Sequence, residues 1–306
     1  MNILVATEKP FARVAVEQIR KVVEDAGLEL LLLENYKIKE DLVKAVSRAD
    51  ALIVRSDLIT DDVIKAAKNL KIIVRAGAGY DNIDIDACTS HNIVVMNTPG
   101  QNSNAVAELA FGMMLYMARR SFSGKSGTEL RGKSIGLHAF GNVAGYMAEI
   151  AKGFGMQVFA FDPFVDGRSI LSAGIRKCDT VEELYSTCQY ISLHLPLNND
   201  TIGAVGYNLL RRMPDNAVLV NAARKEIVDE EDLLKMFGER EEFMYLSDIV
   251  PDCIGQLEEK YKGRFLFTAK KMGAQTEEAN TNAGIAAVRH IVDFFTTGNE
   301  KYRVNQ

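Results

Sequence analysis

The stretch Ser134-Ile-Gly-Leu-His-Ala-Phe-Gly-Asn-Val-Ala-Gly145 carries residue types that suit a pyrophosphate. An apolar strand runs into a turn of small residues, and a helix leaves the turn. Small residues let phosphates approach the backbone closely, and the free N–H groups at a helix start favour an anion. A second apolar run, Gln157-Val-Phe-Ala-Phe, ends in Asp162, about twenty residues beyond the turn, the spacing of a dinucleotide-binding βαβ unit. An acid there accepts hydrogen bonds from ribose hydroxyls and repels a 2′-phosphate, so NAD is favoured over NADP. Aligned on Gly141, the slots of G-x-G-x-x-G read Ala139, Gly141 and Ala144, with Gly145 one place late. Only the slot where backbone must meet phosphate keeps its glycine. Phe140, Gly141, Asn142 and Val143 in the turn, with Asp162 and Pro163 after the second strand, are the candidate cofactor contacts. The bland alternative is an ordinary strand–turn–helix of an α/β protein.

Elements that could position such a turn recur along the chain. Before residue 98, short apolar runs at 3–6, 28–33, 51–54, 71–74 and 93–96 alternate with amphipathic segments at 11–26, 39–48 and 60–68, the last capped by Thr60. This alternation predicts a mostly parallel sheet covered on both faces. A helix at 103–120, apolar nearly all round, is expected to be buried between domains or subunits. A polar, Gly- and Ser-rich linker follows at 121–133. The second α/β unit predicts strands at 134–138, 157–161, 190–193, 217–220, 243–247 and 265–267. It predicts helices at 142–154, 180–186, 229–237 and 275–296. The last is too long for the second sheet alone, so its end is expected to pack back on the first domain.

Composition narrows the function classes. At 306 residues, 47% hydrophobic and 25% charged, the chain reads as a soluble protein of two domains. The net charge of −5 with interspersed signs offers no basic block for nucleic acid or an anionic membrane. No apolar run approaches the roughly 18 residues of a membrane span. The start, Met1-Asn-Ile-Leu-Val-Ala, reads as a strand and not a signal peptide. The four cysteines (Cys88, Cys178, Cys188, Cys253) form no C-x-x-C pair and read as reduced thiols of a cytoplasmic protein. With four histidines equally dispersed, no metal site is expected.

Several blocks together resemble the D-2-hydroxyacid dehydrogenases, in particular the short D-3-phosphoglycerate dehydrogenases. They are Val74-Arg-Ala-Gly-Ala-Gly-Tyr-Asp-Asn-Ile-Asp84, Asn97-Thr-Pro-Gly-Gln-Asn-Ser103, the nucleotide turn, His194-Leu-Pro-Leu197, and Val220-Asn-Ala-Ala-Arg-Lys-Glu-Ile-Val-Asp-Glu230. They fall in family order over nearly the whole chain. The resemblance implies two doubly wound parallel-sheet α/β domains: a Rossmann-type NAD-binding domain at 98–285, inserted in a flavodoxin-like substrate domain at 1–97 and 286–306. It also implies a homodimer. The linker 121–133 is shorter than the family's usual arm.

Arg224 follows the predicted strand 217–220, where a doubly wound sheet places its ligands. Its planar, permanently charged fork suits a substrate carboxylate and the adjacent carbonyl oxygen. The family's acid/base is a histidine after the last strand. Here that turn reads Thr268-Ala-Lys-Lys-Met-Gly-Ala-Gln-Thr-Glu-Glu278, and the histidine slot holds Lys271. Two readings stay open. In one, Lys271 is the acid/base: an amine titrating near about 10.4 is brought down by burial and neighbouring positive charge. In the other, Lys271 only binds an anion or packs. The family pairs its base with a glutamate. In Ser247-Asp-Ile-Val-Pro-Asp-Cys253 that slot falls on Cys253, and Asp252, one place away, is the candidate partner. Further cofactor contacts implied by the resemblance are His194, Leu195, Pro196, Ala222, Gly273 and Asp248, the last facing the nicotinamide amide.

For substrate, Arg55 and Ser56 end a first-domain strand, and Arg55 offers the cation that a 3-phosphate needs. Arg75 is a second choice, or else a structural ion-pair partner. Ala76, Gly77, Ala78, Gly79 and Asn102 offer backbone and amide donors to the carboxylate. The reading that follows is NAD-dependent oxidation of 3-phospho-D-glycerate to 3-phosphohydroxypyruvate, a step of serine biosynthesis. The alternatives are the same chemistry on an unphosphorylated 2-hydroxy acid (hydroxypyruvate/glycerate or D-lactate) and a non-catalytic NAD(H)-sensing scaffold.

Overall fold

A computed structural model describes residues 1–306 and divides them into two compact units, Met1–Asn102 with Ala274–Gln306, and Ser103–Gly273. The first unit begins β1 (Asn2–Thr7), α1 (Arg13–Asp25), β2 (Glu29–Glu34), α2 (Lys39–Val46), β3 (Ala51–Val54), α3 (Asp61–Ala66), β4 (Ile72–Arg75), α4 (Ile85–Ser90) and β5 (Val94–Asn97). The second unit carries α5 (Ser103–Ala118), β6 (Ser134–His138), α6 (Asn142–Gly153), β7 (Gln157–Phe161), α7 (Gly167–Ser172), β8 (Arg176–Lys177) and α8 (Val181–Thr187). It continues with β9 (Tyr190–Leu193), α9 (Tyr207–Leu210), β10 (Val218–Asn221), α10 (Glu230–Glu239), β11 (Met244–Ser247), α11 (Ile254–Lys260) and β12 (Phe265–Phe267). The chain then returns to the first unit through α12 (Glu277–Thr297).

Both sheets are parallel throughout. The first unit's strand order is β2-β1-β3-β4-β5, and the second's is β12-β11-β10-β9-β6-β7-β8. These are the flavodoxin-like and Rossmann-type orders expected of the chain, and each reverses direction beside its first strand. Helices cover both faces, so the strands read as continuous apolar runs: all four residues of β3 are fully buried. In the first unit one core layer gathers Leu42, Val63 and Ile73 and the other Phe11, Ile19 and Val288, on opposite sides of the sheet.

Local rules account for several helix ends. Asp84, Thr180, Asp229 and Thr276 each cap a helix, their side-chain oxygens accepting from Ala87, Glu183, Asp232 and Ala279 N–H. Gly298 ends α12 in the left-handed conformation, φ 70°, which glycine adopts at no steric cost. Thr60 precedes α3 as expected, but its hydroxyl makes no cap bond and is buried without a partner.

Three expectations need revision. The helix expected to run to residue 120 stops at Ala118. Arg120, Ser121 and Phe122 then take φ of 51°, 55° and 53°, a left-handed turn that breaks it. The domain boundary placed at 285/286 falls inside α12, which lies whole in the first unit. Its Ala283, Ala287, Val288 and Ile291 join a core with Phe11, Ala15 and Ile19 of the N-terminal segment, so the helix is one packing element and cannot be divided. The division at its other end falls at 102/103, because α5 packs on the second unit's core, with Met114 and Phe111 beside Met147 and Leu137. The short elements α4, α7, β8, α9 and α11 lack the length for a clear periodicity and were not anticipated.

After α12 the tail lies along the edge strand β5. Val304 N–H donates to the Val95 carbonyl at 2.8 Å. Asn305 then imitates a strand with its side chain: its Oδ1 accepts from Val95 N at 2.8 Å, and its Nδ2 donates to Ile93 O at 2.8 Å. No helix is long and apolar enough to cross a membrane, and no group of three His, Cys, Asp or Glu side chains could hold a metal ion.

Candidate active site

In the second unit the chemistry-bearing residues sit at the carboxyl ends of β6, β7, β9, β10 and β11. β6 ends at His138, and Ala139 turns with φ 74°. This is the first fingerprint slot, and the left-handed angle is why glycine suits it. Gly141 caps α6, and a Cβ built on it would meet nothing within 4 Å. The side of the turn where phosphates would lie is therefore open. Asp162 does more than the sequence suggested. Its Oδ2 accepts from Phe140 N at 2.8 Å, and its Oδ1 accepts from Phe164 N at 2.8 Å and Val165 N at 3.1 Å. One carboxylate thus fastens the phosphate turn to the loop after β7, with Pro163 exposed between. Of the roughly four acceptor positions of a carboxylate, three are used, which leaves room for about one ribose hydroxyl.

β9 leads into His194-Leu-Pro-Leu197. His194 N–H donates to the His138 carbonyl at 2.9 Å, and the imidazoles lie close enough for His138 to act on the charge of His194. Burial holds both neutral: His138 is pushed down to about 4 and His194 to about 3, the latter lowered further by His138. His138 Nδ1 is 3.1 Å from the Tyr185 hydroxyl, while His194 Nε2 is buried with no partner. Leu195 is half-buried and Pro196 exposed.

The loop after β10 carries Arg224, shaped by a residue that sequence reasoning passed over. Buried Asn221 accepts from Ala223 N at 3.0 Å and donates to Arg224 O at 2.9 Å and to Tyr245 Oη at 3.2 Å. The signal was present: an amide side chain ending an apolar strand binds its own following loop. Arg224 Nη1 donates to the Ala223 carbonyl at 3.0 Å, and Lys271 Nζ donates to the same oxygen at 3.2 Å. The two residues expected to bind carboxylate and move a proton thus share one acceptor, with Ala222 half-buried beside them.

Asp248, wholly buried at the end of β11, organises the loop that bears Lys271. Its Oδ2 accepts from Gly273 N at 2.8 Å and Met272 N at 3.3 Å. A Cβ on Gly273 would lie 2.9 Å from that oxygen, so glycine is required there. Burial raises the Asp248 carboxyl above the usual carboxylate range, against the Gly273 N–H and the charges of Lys271 and Arg224. Its other oxygen, Oδ1, is buried with no partner.

Asp252 is not the partner expected for Lys271. Its oxygens accept from Lys225 Nζ at 2.6 and 2.7 Å, and its side chain is 81% exposed. The reason lies in the backbone: Glu230 accepts from Asp252 N at 2.9 Å and Cys253 N at 2.7 Å. That fixes the turn with Cys253 inward and Asp252 outward, over the loop of Arg224 and Lys225.

The first unit gathers its candidates where β3 and β4 end. Arg75 Nε donates to the Arg55 carbonyl at 2.9 Å. The Arg55 guanidinium donates to Lys9 O at 3.1 Å, to Pro10 O at 3.3 Å and to Asn280 Oδ1, with Phe11 beneath it at 5.2 Å. Burial lowers the pKa of Arg55, opposed by Asp57. Ser56 is exposed beside it, and Asn102 is half-buried. Ala76 and Gly77 are poorer donors than expected, because their N–H groups are spent on Val54 O at 2.8 Å and Arg75 O at 2.9 Å. Ala78 and Gly79 lie in the part of the turn held by Asn97, which donates to Ala78 O at 2.6 Å.

A family model, the D-isomer specific 2-hydroxyacid dehydrogenase catalytic domain, matches residues 5–305. The D-3-phosphoglycerate dehydrogenase of Archaeoglobus fulgidus is 36% identical over 311 residues, which cover 96% of this chain and 57% of that one. The chain therefore spans about half the length of the phosphoglycerate dehydrogenase relatives it matches in this way. The hydroxypyruvate reductase of Thermotoga maritima is 34% identical over 280 residues, covering 86% of this chain and 90% of that one. Among solved structures, the crystal structure of cofactor (NAD+) bound 3-phosphoglycerate dehydrogenase in Entamoeba histolytica superposes with a TM-score of 0.90. It has 48% sequence identity and covers 100% of this chain and 99% of that one.

Proposed function

The chain belongs to the D-isomer specific 2-hydroxyacid dehydrogenase family, and on that premise we propose that it oxidises 3-phospho-D-glycerate at C2 with NAD+, giving 3-phosphohydroxypyruvate, a step of serine biosynthesis. The observation that carries the proposal is the convergence of Arg224 and Lys271 on the Ala223 carbonyl, next to Asp248 with its unpartnered oxygen.

The second unit fits NAD on its own features. The open side of Gly141 accommodates phosphates, Asp162 retains an acceptor position, and Asp248 Oδ1 suits the amide of a nicotinamide. Phe140, Asn142 and Val143 would flank the phosphates, while His194 Nε2 offers a second unpartnered polar atom. The cofactor supplies a hydride acceptor when bound. Arg224 holds the substrate carboxylate and, as the C2 oxygen gains carbonyl character, polarises it. Lys271 in its neutral form takes the hydroxyl proton as the C2–H bond breaks and the C2=O bond forms, and returns a proton in the reverse direction. Asp248 anchors Gly273 and Met272 and so fixes the backbone beside Lys271. Arg55 binds the 3-phosphate. We further infer a cytoplasmic homodimer; size-exclusion chromatography with light scattering checks the dimer.

One observation favours a second reading. The Arg55 guanidinium already serves three protein oxygens, which suits an unphosphorylated acid such as glycerate or hydroxypyruvate if the arginine is only structural. The deciding measurement is the initial rate of NADH formation with 3-phospho-D-glycerate, D-glycerate and D-lactate at alkaline pH, for wild type and Lys271→Ala. Preference for the phosphorylated acid, with a rate loss of about 10²- to 10⁴-fold in the variant, is expected. Retained turnover in Lys271→Ala would sink the lysine base. Preference for an unphosphorylated acid would keep the chemistry and change the substrate. NADH binding without turnover on any acid would point to a cofactor-sensing scaffold.

A further inference from the structure

Arg55 is held at every polar group it has along the backbone and at most of its fork. Its N–H donates to Asp57 Oδ2 at 3.2 Å, and its carbonyl accepts from Arg75 Nε at 2.9 Å and Asn82 Nδ2 at 3.4 Å. Asp57 is 3% exposed and is itself fixed: its Oδ1 accepts from Glu8 N at 2.7 Å and Tyr36 Oη at 2.8 Å. Burial and Asp57 raise the Tyr36 pKa, so the phenol remains a donor. At the far end of the side chain, Nη2 donates to Asn280 Oδ1. Asn280 sits in the first turn of α12 and is braced by its own Nδ2, which donates to Thr276 O at 2.7 Å.

The chemistry of these partners is selective. The guanidinium touches neutral oxygens (Lys9 O, Pro10 O, Asn280 Oδ1) and a ring face. Neutral acceptors fix the direction of a cation without cancelling its charge. An arginine needed only to staple loops is served better by a carboxylate, which pairs with it more strongly. Here the one nearby carboxylate, Asp57, binds the backbone N–H of Arg55 and leaves the fork to neutral groups. Three hydrogen bonds leave part of the five-donor fork open for a ligand.

We propose that Asn280, with the Asp57–Tyr36 pair, is a positioning residue that pre-orders Arg55 for a phosphate and so sets discrimination between phosphorylated and unphosphorylated 2-hydroxy acids. The proposal rests on the substrate reading above. Pre-ordering matters because a free arginine must lose its rotamer freedom when the phosphate binds, which weakens binding by roughly 3- to 10-fold.

The test compares kcat and KM for 3-phospho-D-glycerate and D-glycerate in wild type, Asn280→Ala, Asn280→Asp and Arg55→Met, with a thermal melt of each. Asn280→Ala is expected to raise KM for the phosphorylated acid by about 3- to 10-fold, with a smaller change in kcat and little change in the ratio for D-glycerate. Asn280→Asp separates positioning from stapling. A carboxylate keeps the acceptor and gains an ion pair with Arg55, which offsets the lost Nδ2 bond to Thr276 O and keeps the melting temperature near that of wild type, yet it neutralises Arg55, so phosphate preference should fall at least as far as in Asn280→Ala. Arg55→Met should lose the preference altogether. If Arg55→Met loses it while both Asn280 variants keep the wild-type preference, Asn280 is structural and the inference is overturned with the substrate reading intact. If Arg55→Met keeps the wild-type preference, or wild type has none, the substrate reading falls and takes the inference with it.

Discussion

Replacing Asp248 with asparagine is expected to weaken NAD(H) binding by about 10- to 100-fold while leaving the melting temperature near that of wild type. The carboxylate divides its work between two oxygens. Oδ2 accepts from Gly273 N at 2.8 Å and Met272 N at 3.3 Å, and Oδ1 has no protein partner. Asparagine keeps one oxygen, which still accepts both amides. The loss there is charge assistance, about 1 kcal/mol at most for the pair, since the 3.3 Å bond is long and a neutral bond retains most of its worth. Removing a buried charge offsets part of that, as the raised pKa of this carboxyl shows that burial already disfavours its ionised form. At the Oδ1 position the change is one of sign. An acceptor becomes an NH₂ donor where the proposed site would put the carboxamide donor of the nicotinamide. A hydrogen bond to a charged group contributes about 1.5–3 kcal/mol, or roughly 10- to 150-fold in Kd. Fluorescence titration with NADH, beside a thermal melt, reads both quantities. An unchanged Kd would refute the reasoning. So would an equal weakening of NADH binding and of the fold, because the amide would then have lost its hold on Gly273.

Two further outcomes follow from buried groups. His138 has its pKa lowered from an ordinary value near 6.5 to about 4. Its contribution is complete above about pH 6.5 and is lost as pH falls to about 4, because the unfolded chain binds the proton first. Urea unfolding should show stability falling by about 1.4 kcal/mol per pH unit across that window, up to about 3 kcal/mol for this residue, with His194 adding to the slope. A flat profile between pH 6.5 and 4.5 would contradict it. Asn305→Ala should cost about 2–4 kcal/mol, because Val95 N and Ile93 O lose their partners at a buried edge. Denaturant midpoints measure it, and a change below about 1 kcal/mol would mean that water replaces the amide.

The parallel sheets were legible because fully buried strands announce themselves as unbroken apolar runs, and the order of β6, β7 and Asp162 followed from spacing alone. Arg224 was singled out from its charge type at a strand end, and the structure places it on the loop after β10. Gly141 was expected to keep the phosphate side of the turn open, and a Cβ there would meet nothing within 4 Å, while the left-handed angle of Ala139 needed coordinates. Asp252 went wrong because one-residue offsets in a turn reverse which side chain points inward, and Glu230, more than twenty residues away in sequence, decides the turn. Asn221, Asp57 and Asn280 escaped notice for a related reason. Each acts through hydrogen bonds to neighbours, and Asn280 reaches a residue 225 positions earlier, a pairing that no local pattern carries.

The shared carbonyl of Ala223 has a mechanical consequence. Arg224 Nη1 and Lys271 Nζ both donate to one oxygen, and Asn221 holds the peptide on either side of it, accepting from Ala223 N–H and donating to the carbonyl of Arg224. A tilt of this loop is therefore felt by the guanidinium and by the amine through the same acceptor. A perturbation at Asn221 would therefore register at Arg224 and Lys271 at the same time.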